Sequence, residues 1–488
     1  MSQSSAFHTT PARDASELPY PRQSGIFPNK TYIEIISYVG QRKYLANLAL
    51  TCRLFASIAV PKMFTWIRVH TTPHNFDSPR VPHSGPKLLD VIRETSDSRA
   101  LSLLEHVQIC VFAPDQDIDH SALRYCEDFL LMLPGINNLS LHGPAPSENL
   151  IKNILQLSNL RSLSLGSLTQ IRNLSTLKSL RSLSLKSSRV DTGIPKADII
   201  ACASALYLEF LELKFEEPHF ETPNAETFAI FAASSSNLKE FKVDRWEILG
   251  YLATHEVLPP LQKLEVDGPR YDVVMLYQLL CRLPTLTELR ILDPTAWYPR
   301  GYNPTWKFSP TDIDLPIPLS LSPLPSLRLL VLPHRFAYIF TGPHSLDSLE
   351  FIRYTRNRPK LPDLPLELST NYYLLFDSPC PNLTHLRWLP SAIQRPGETW
   401  YGNIRLWIPK LQYLSLVVRE YDLKSAKNKE LETYFKNFLA TWGPLDTLRE
   451  LWFEFRDIDR DRNLERFQEV EELARRVDVM GISRISFL

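Results

Sequence analysis

A chain of 488 residues is long enough for two or more domains or one long repeat array. It is 44% hydrophobic and 22% charged, and 54 Lys plus Arg balance 54 Asp plus Glu, so no net field points to nucleic acid or to an anionic membrane. The six cysteines have no CxxC spacing, and no apolar leader or eighteen-residue apolar run occurs; this argues for reduced thiols, no zinc site and no transmembrane helix, in a protein of the cytoplasm and/or nucleus.

Residues 1–24 are rich in Ser, Thr, Pro and Arg and are expected to be a disordered tail. Residues 25–69 read as a module of two or three short helices. Tyr32, Ile35, Ile36 and Val39 recur at helical spacing, as do Leu45, Leu48, Ala49 and Cys52. Phe55, Ile58 and Ala59 continue as a third segment, which Pro61 is expected to end. Glu34, Arg42, Lys43, Asn47 and Arg53 are expected to face water. A module of this size cannot bury three apolar stripes internally. The surplus either caps the rest of the chain or docks a partner by helix-on-helix packing.

This stretch resembles an F-box, the adaptor-binding module of cullin–RING ubiquitin ligases. Phe27-Pro28 stands at the family's Leu-Pro opening, and Glu34-Ile35-Ile36-Ser37-Tyr38-Val39 at its first apolar helix. Leu45 to Phe55, with Thr51-Cys52-Arg53-Leu54-Phe55, matches the second helix, and Ala59-Val60-Pro61-Lys62-Met63-Phe64 a fungal-style tail. Lys30, Thr31 and Thr51 depart from the family's Glu, apolar residue and Val. The resemblance implies that the chain binds a Skp-family adaptor and, through it, a cullin–RING ligase. The implied contact residues are Phe27, Pro28, Tyr32, Ile35, Ile36, Val39, Leu45, Leu48, Cys52 and Phe55, some of which must instead form the module's own core.

Residues 70–86, full of Pro, Ser and Gly, read as a linker. From residue 87 the pattern LxxLxL repeats. Clear copies begin at Leu160, Leu180, Leu208, Leu261, Leu286, Leu327, Leu383, Leu411 and Leu448, and looser ones at Leu104, Ile136, Leu238, Leu346 and Ile482. Helix-like segments precede many of them, among them 147–157, 225–233, 271–282, 429–441 and 465–477. A strand preceded by a helix, repeated, stacks into parallel strands with helices outside. The array resembles a leucine-rich repeat with a mean period of about 29 residues. It lacks the family's Asn or Cys after each strand, so an irregular solenoid is expected. The fold class is therefore α/β: an all-helical N-terminal module followed by this solenoid.

If consecutive copies are neighbouring strands, matching positions stand side by side. One column reads Glu212, Lys242, Glu265, Arg290 and another Glu240, Lys263, Glu288; both alternate in sign. This central face is expected to neutralise itself rather than bind a ligand. Further on, Leu329, Val331, Leu389, Tyr413, Val417 and Trp452 would be exposed on the concave face. The insertion 293–325, with Trp297, Tyr298, Tyr302, Trp306 and Phe308, and the segment 390–403, with Trp400 and Tyr401, add aromatic loops. The candidate substrate-binding residues are Trp297, Tyr302, Trp306, Leu329, Val331, Trp400, Tyr413 and Trp452; the alternative is that an insertion folds over this face. No P-loop, GxGxxG, HExxH or GxSxG motif occurs, and no nucleophile–base constellation stands out. A non-catalytic chain without a cofactor is expected: a receptor that holds a target protein for ubiquitination, or an interaction scaffold unrelated to ubiquitin.

Overall fold

The computed structural model describes residues 29–70, 102, 104–113, 127, 129–141, 146–166, 171–186, 195–215, 225–267, 273–292, 319–320, 324–333, 340–341, 345–352, 380–388, 408–419, 447–456, 468, 472 and 484–487.

Three short helices open the described chain: α1 (Asn29–Ser37), α2 (Arg42–Ala49) and α3 (Arg53–Phe64). Ile36, Leu45 and Ala59 form their small buried core, with Val39, Leu48, Phe55, Ile58 and Met63 packed against it. The Cys52 thiol accepts the Phe55 N–H and so caps α3. The Lys62 ammonium donates to the carbonyls of Ile36 and Ser37, which puts positive charge at the C-terminal end of α1. Pro61 does not end α3, as expected from the sequence; the helix runs through it to Phe64. Proline fixes a helix-compatible φ and forfeits one backbone bond, and Met63 beyond it still packs on the module core.

Parallel strands follow in chain order. They are β1 (Trp66–His70), β2 (Ile109–Ala113), β3 (Asn138–Leu141), β4 (Ser162–Leu165), β5 (Ser182–Lys186) and β6 (Phe210–Lys214). Next come β7 (Glu240–Val243), β8 (Lys263–Asp267), β9 (Glu288–Leu292), β10 (Leu319–Ser320), β11 (Leu329–Pro333) and β12 (Phe340–Thr341). The last are β13 (Ser348–Ile352), β14 (His385–Trp388), β15 (Tyr413–Arg419), β16 (Glu450–Arg456) and β17 (Arg484–Phe487). All but β10 and β12, which pair with each other, join one 15-stranded sheet in sequence order. On one side of the sheet lie α4 (Glu148–Leu155), a 3-10 turn (Ile171–Thr176), α5 (Lys196–Ala205), α6 (Ala225–Ser234), α7 (Trp246–Thr254) and α8 (Val273–Leu280). Helices pack about 8–10 Å apart and strands about 4.8 Å apart, so the helical side is convex and the opposite side concave.

All fourteen expected copies are strands of this sheet. The first needs a shift. Its core triplet is Val107, Cys110 and Phe112, because Cys110 pairs with Leu139 and Phe112 with Leu141. A fifteenth strand, β1, was not foreseen. Its register makes Phe64, Ile67 and Val69 its triplet, and Phe64 also closes α3. A single residue, Thr65, thus separates α3 from the sheet, which begins inside the range read as helical module. Of the expected helices, 147–157, 225–233 and 271–282 appear as α4, α6 and α8, with Ser147 as N-cap of α4. The segment 429–441 lies outside the described residues, as does 465–477 apart from Gln468 and Glu472.

At least seven of the triplets are preceded by a turn that the LxxLxL pattern does not contain. Leu133, Leu157, Leu177, Leu283, Leu324, Cys380 and Ile408 are buried three residues ahead of their strand's first apolar residue. Their carbonyls accept its N–H at 3.0–3.4 Å. Pro134, Pro284, Pro325, Pro381 and Pro409 follow five of them, at a turn position where a fixed φ helps. Leucines, turn and helices together make one continuous core from Ile67 to Leu451.

A second ladder runs just ahead of the strands. The Thr65 carbonyl accepts the N–H groups of both Gln108 and Ile109. Gln108 then accepts from Asn137 and Asn138, and the relay passes through Arg161, Arg181, Glu209, Lys239, Gln262, Thr287, Arg328, Asp347 and Thr384 to Gln412, which accepts from Arg449 and Glu450. Thr65, the residue that caps α3, is therefore the first rung of the repeat array.

Candidate interaction surfaces

On the helical module, the structure divides the candidate adaptor contacts. Ile36 and Leu45 are buried, which corrects their reading as contacts: they are the module's own core. Val39, Leu48 and Phe55 are half-buried against them, and Tyr32 packs on Phe55 with ring centroids 5.3 Å apart. Ile35 is 52% exposed and Cys52 is exposed. Phe27 and Pro28 lie outside the described residues. Four large apolar side chains that were not singled out are exposed as well: Ile33, Tyr38 (81%), Tyr44 and Leu50 (86%). Tyr38 and Leu50 follow the ends of α1 and α2, where a single-stripe reading stops; large apolar residues at helix ends were the available signal.

Arg42 does not simply face water. Its guanidinium donates to the Trp66 carbonyl and lies over the Trp66 ring, 5.2 Å from its centroid. Burial lowers the Arg42 pKa from its ordinary value, which still leaves the group charged.

Register fixes the concave face as two columns. The alternation read from the sequence holds strand by strand. Glu212, Lys242, Glu265 and Arg290 are successive partners, and so are Glu240, Lys263 and Glu288. Lys242 meets Glu265 at 3.7 Å and Lys263 meets Glu288 at 3.3 Å. Along single strands, Lys214 meets Glu212 at 2.7 Å and Arg290 meets Glu288 at 2.6 Å. Burial pushes the Glu212 carboxyl up, but hydrogen bonds from Lys214 and Ser184 outweigh it and leave it below its ordinary value. Glu288 is held down in the same way by Arg290 and Lys263, against its own burial.

Val331 is corrected. It stands on the concave side yet is only 2% exposed. Its register neighbours are Arg290 and Glu350, which attract each other across it, and their long stems can shelter it. The sign alternation resumes beyond this gap, with Glu350 beside Arg387.

Three zones result. At β3–β5 the face carries Asn138 and five serines, with Ser184 donating to Glu212 at 2.6 Å. From β6 to β9 it is the ion-pair lattice. At β14–β16 it turns aromatic. His385 stacks on Tyr413 with centroids 4.3 Å apart, and the Trp452 indole donates to Glu450 at 2.9 Å. Leu329, Tyr413 and Trp452 are half-buried. Burial lowers the His385 pKa, and Asp347 pulls it back up in part. Trp297, Tyr302, Trp306 and Trp400 lie outside the described residues, as do Tyr298, Phe308, Leu389 and Tyr401; Val417 lies on β15. Among the described residues no group of three His, Cys, Asp or Glu could hold a metal ion, and no helix is long and apolar enough to cross a membrane.

No protein-family profile matches the chain. No curated protein matches it either. Similar solved structures include a leucine-rich-repeat protein of Leptospira interrogans, at 13% identity over 76% of this chain and 85% of that one, with a TM-score of 0.25. Another is an internalin of Listeria monocytogenes, at 12% identity, 91% and 93% coverage and a TM-score of 0.26. A TDR receptor aligns at 11% identity, 73% and 54% coverage and a TM-score of 0.25. The architecture rests on the chain's own strands, turns and convex helices, which make a leucine-rich-repeat solenoid behind a helical module.

Proposed function

We propose that the chain is a non-catalytic substrate receptor of a Skp–cullin–F-box ubiquitin ligase. The helices α1–α3 dock a Skp-family adaptor, and the concave face holds a target protein, in the cytoplasm and/or nucleus. One observation carries this reading. The module closes a small core of its own yet leaves Ile33, Ile35, Tyr38, Tyr44 and Leu50 exposed, more large apolar surface than a free helical module keeps. The chain's job is then to bring a target close to the ligase and orient it, which is a matter of effective concentration. The half-buried aromatics of β14–β16 are the proposed target contacts, since aromatic side chains in a concave setting make strong anchors.

Direct binding to a purified Skp-family adaptor tests this. Binding is expected, and Ile35→Glu with Leu50→Glu should abolish it while leaving the far-ultraviolet spectrum unchanged. Failure of the unmodified chain to bind at micromolar concentration would remove the receptor reading. The second reading, an interaction scaffold unrelated to ubiquitin, would then stand. The contacts of Arg42 and Thr65 with the sheet favour it, because they make the module an N-terminal cap in its own right.

A further inference from the structure

Among the described residues, two points tie the module to the sheet. The first is covalent: α3 ends at Phe64, Thr65 follows, and β1 begins at Trp66. The Thr65 carbonyl is tied to β2 by Gln108 and Ile109. One such joint still allows the helices to swing about it. The second point lies 24 residues earlier, where Arg42 reaches the Trp66 carbonyl. Carbonyls alternate in direction along a strand, so with Thr65 aimed at β2 the Trp66 carbonyl points to the outer edge of the sheet. Arg42 occupies that edge position and also covers the Trp66 ring.

The placement works against local preference. Arg42 is the first residue of α2, with Lys43 beside it, and cations at a helix N-terminus oppose the helix dipole. A residue that breaks a local rule is where a longer-range role is expected. Lysine would offer Trp66 a donor but no planar group to lie on the ring.

We infer that Arg42 is a positioning residue: with Thr65 it makes a two-point joint that fixes the angle between the helical module and the concave face. The joint itself is a property of the fold; its use, holding a target at a set orientation to the ligase, rests on the receptor reading.

Nitroxides carried by unnatural residues in place of Asn47, exposed on α2, and Val257, 72% exposed beyond α7, report this angle as a distance distribution in the full chain. A single narrow distribution is expected. Arg42→Ala should broaden it about twofold, with Arg42→Lys in between, while adaptor affinity stays within about twofold because the apolar docking residues are untouched. An Arg42→Ala distribution as narrow as that of the parent overturns the inference. So does a lowered thermal midpoint without broadening, which would make Arg42 only a local stabiliser. If the parent fails to bind the adaptor, the receptor reading falls, and the distances still decide the joint.

Discussion

Gly135 shows how closely the repeats stack. A Cβ placed there would sit 2.6 Å from the Glu105 carbonyl oxygen of the preceding copy and 3.3 Å from that of Val107, and both neighbours are backbone. Gly135→Ala should therefore destabilise the fold by about 1–3 kcal/mol, read from urea denaturation. Gly250 is similarly tight, but its neighbour is the Met275 thioether, a flexible partner that can yield. His385 offers a test of a different kind. Burial holds its folded pKa below the ordinary 6.5. The unfolded chain thus takes up the proton first, and the site's contribution to stability is intact above 6.5 and declines as pH falls below it. An NMR titration should place the His385 midpoint below 6.5. Tyr413→Ala, which strips away the stacked ring, should move it upward.

At the level of strands, the charge columns act as a register lock. Slipping one strand by one residue would turn its leucines outward, and slipping it by two would shift its charges against their partners. Glu265→Lys places three cations side by side, Lys242, the new lysine and Arg290. It should cost about 1 kcal/mol at low salt and less in 1 M salt, measured by denaturation at both ionic strengths. The columns were readable in the sequence because they depend only on repeat phase, and LxxLxL sets the phase. The burial of Val331 was not, because it depends on the reach of two side chains from strands 41 and 19 residues away. Likewise β1 escaped notice because Phe64 serves a helix and a strand at once, so helical periodicity claimed it first. Arg42 looked solvated for a related reason: a polar residue on a helix names no partner. The preceding turn was legible, as a buried apolar residue before proline, but it recurs outside the six-residue window that defined the repeat.

Over the whole molecule, the sheet runs from the β1 edge to the β17 edge. At the β1 edge Arg42 takes the Trp66 carbonyl, beside the helices that lead into the strand. Deleting residues 1–65 would remove Phe64 from the first triplet, the first rung of the relay and the edge contact together. Open strand edges seed pairing between chains. The truncated chain should therefore self-associate where the full chain does not, as light scattering would record. Between the ends, the carbonyl relay keeps one geometry while the intervals between its rungs vary from 19 residues, Arg328 to Asp347, to 43, Thr65 to Gln108. Only the residue ahead of each strand and the strand's first residue take part in it. What lies between rungs can lengthen or shorten without disturbing the strands on either side, since closing a longer loop costs little. The relay thus separates heritable change in the connecting segments from change in the framework. A lineage, or an engineer, could graft new recognition loops between rungs one at a time and keep the same spine.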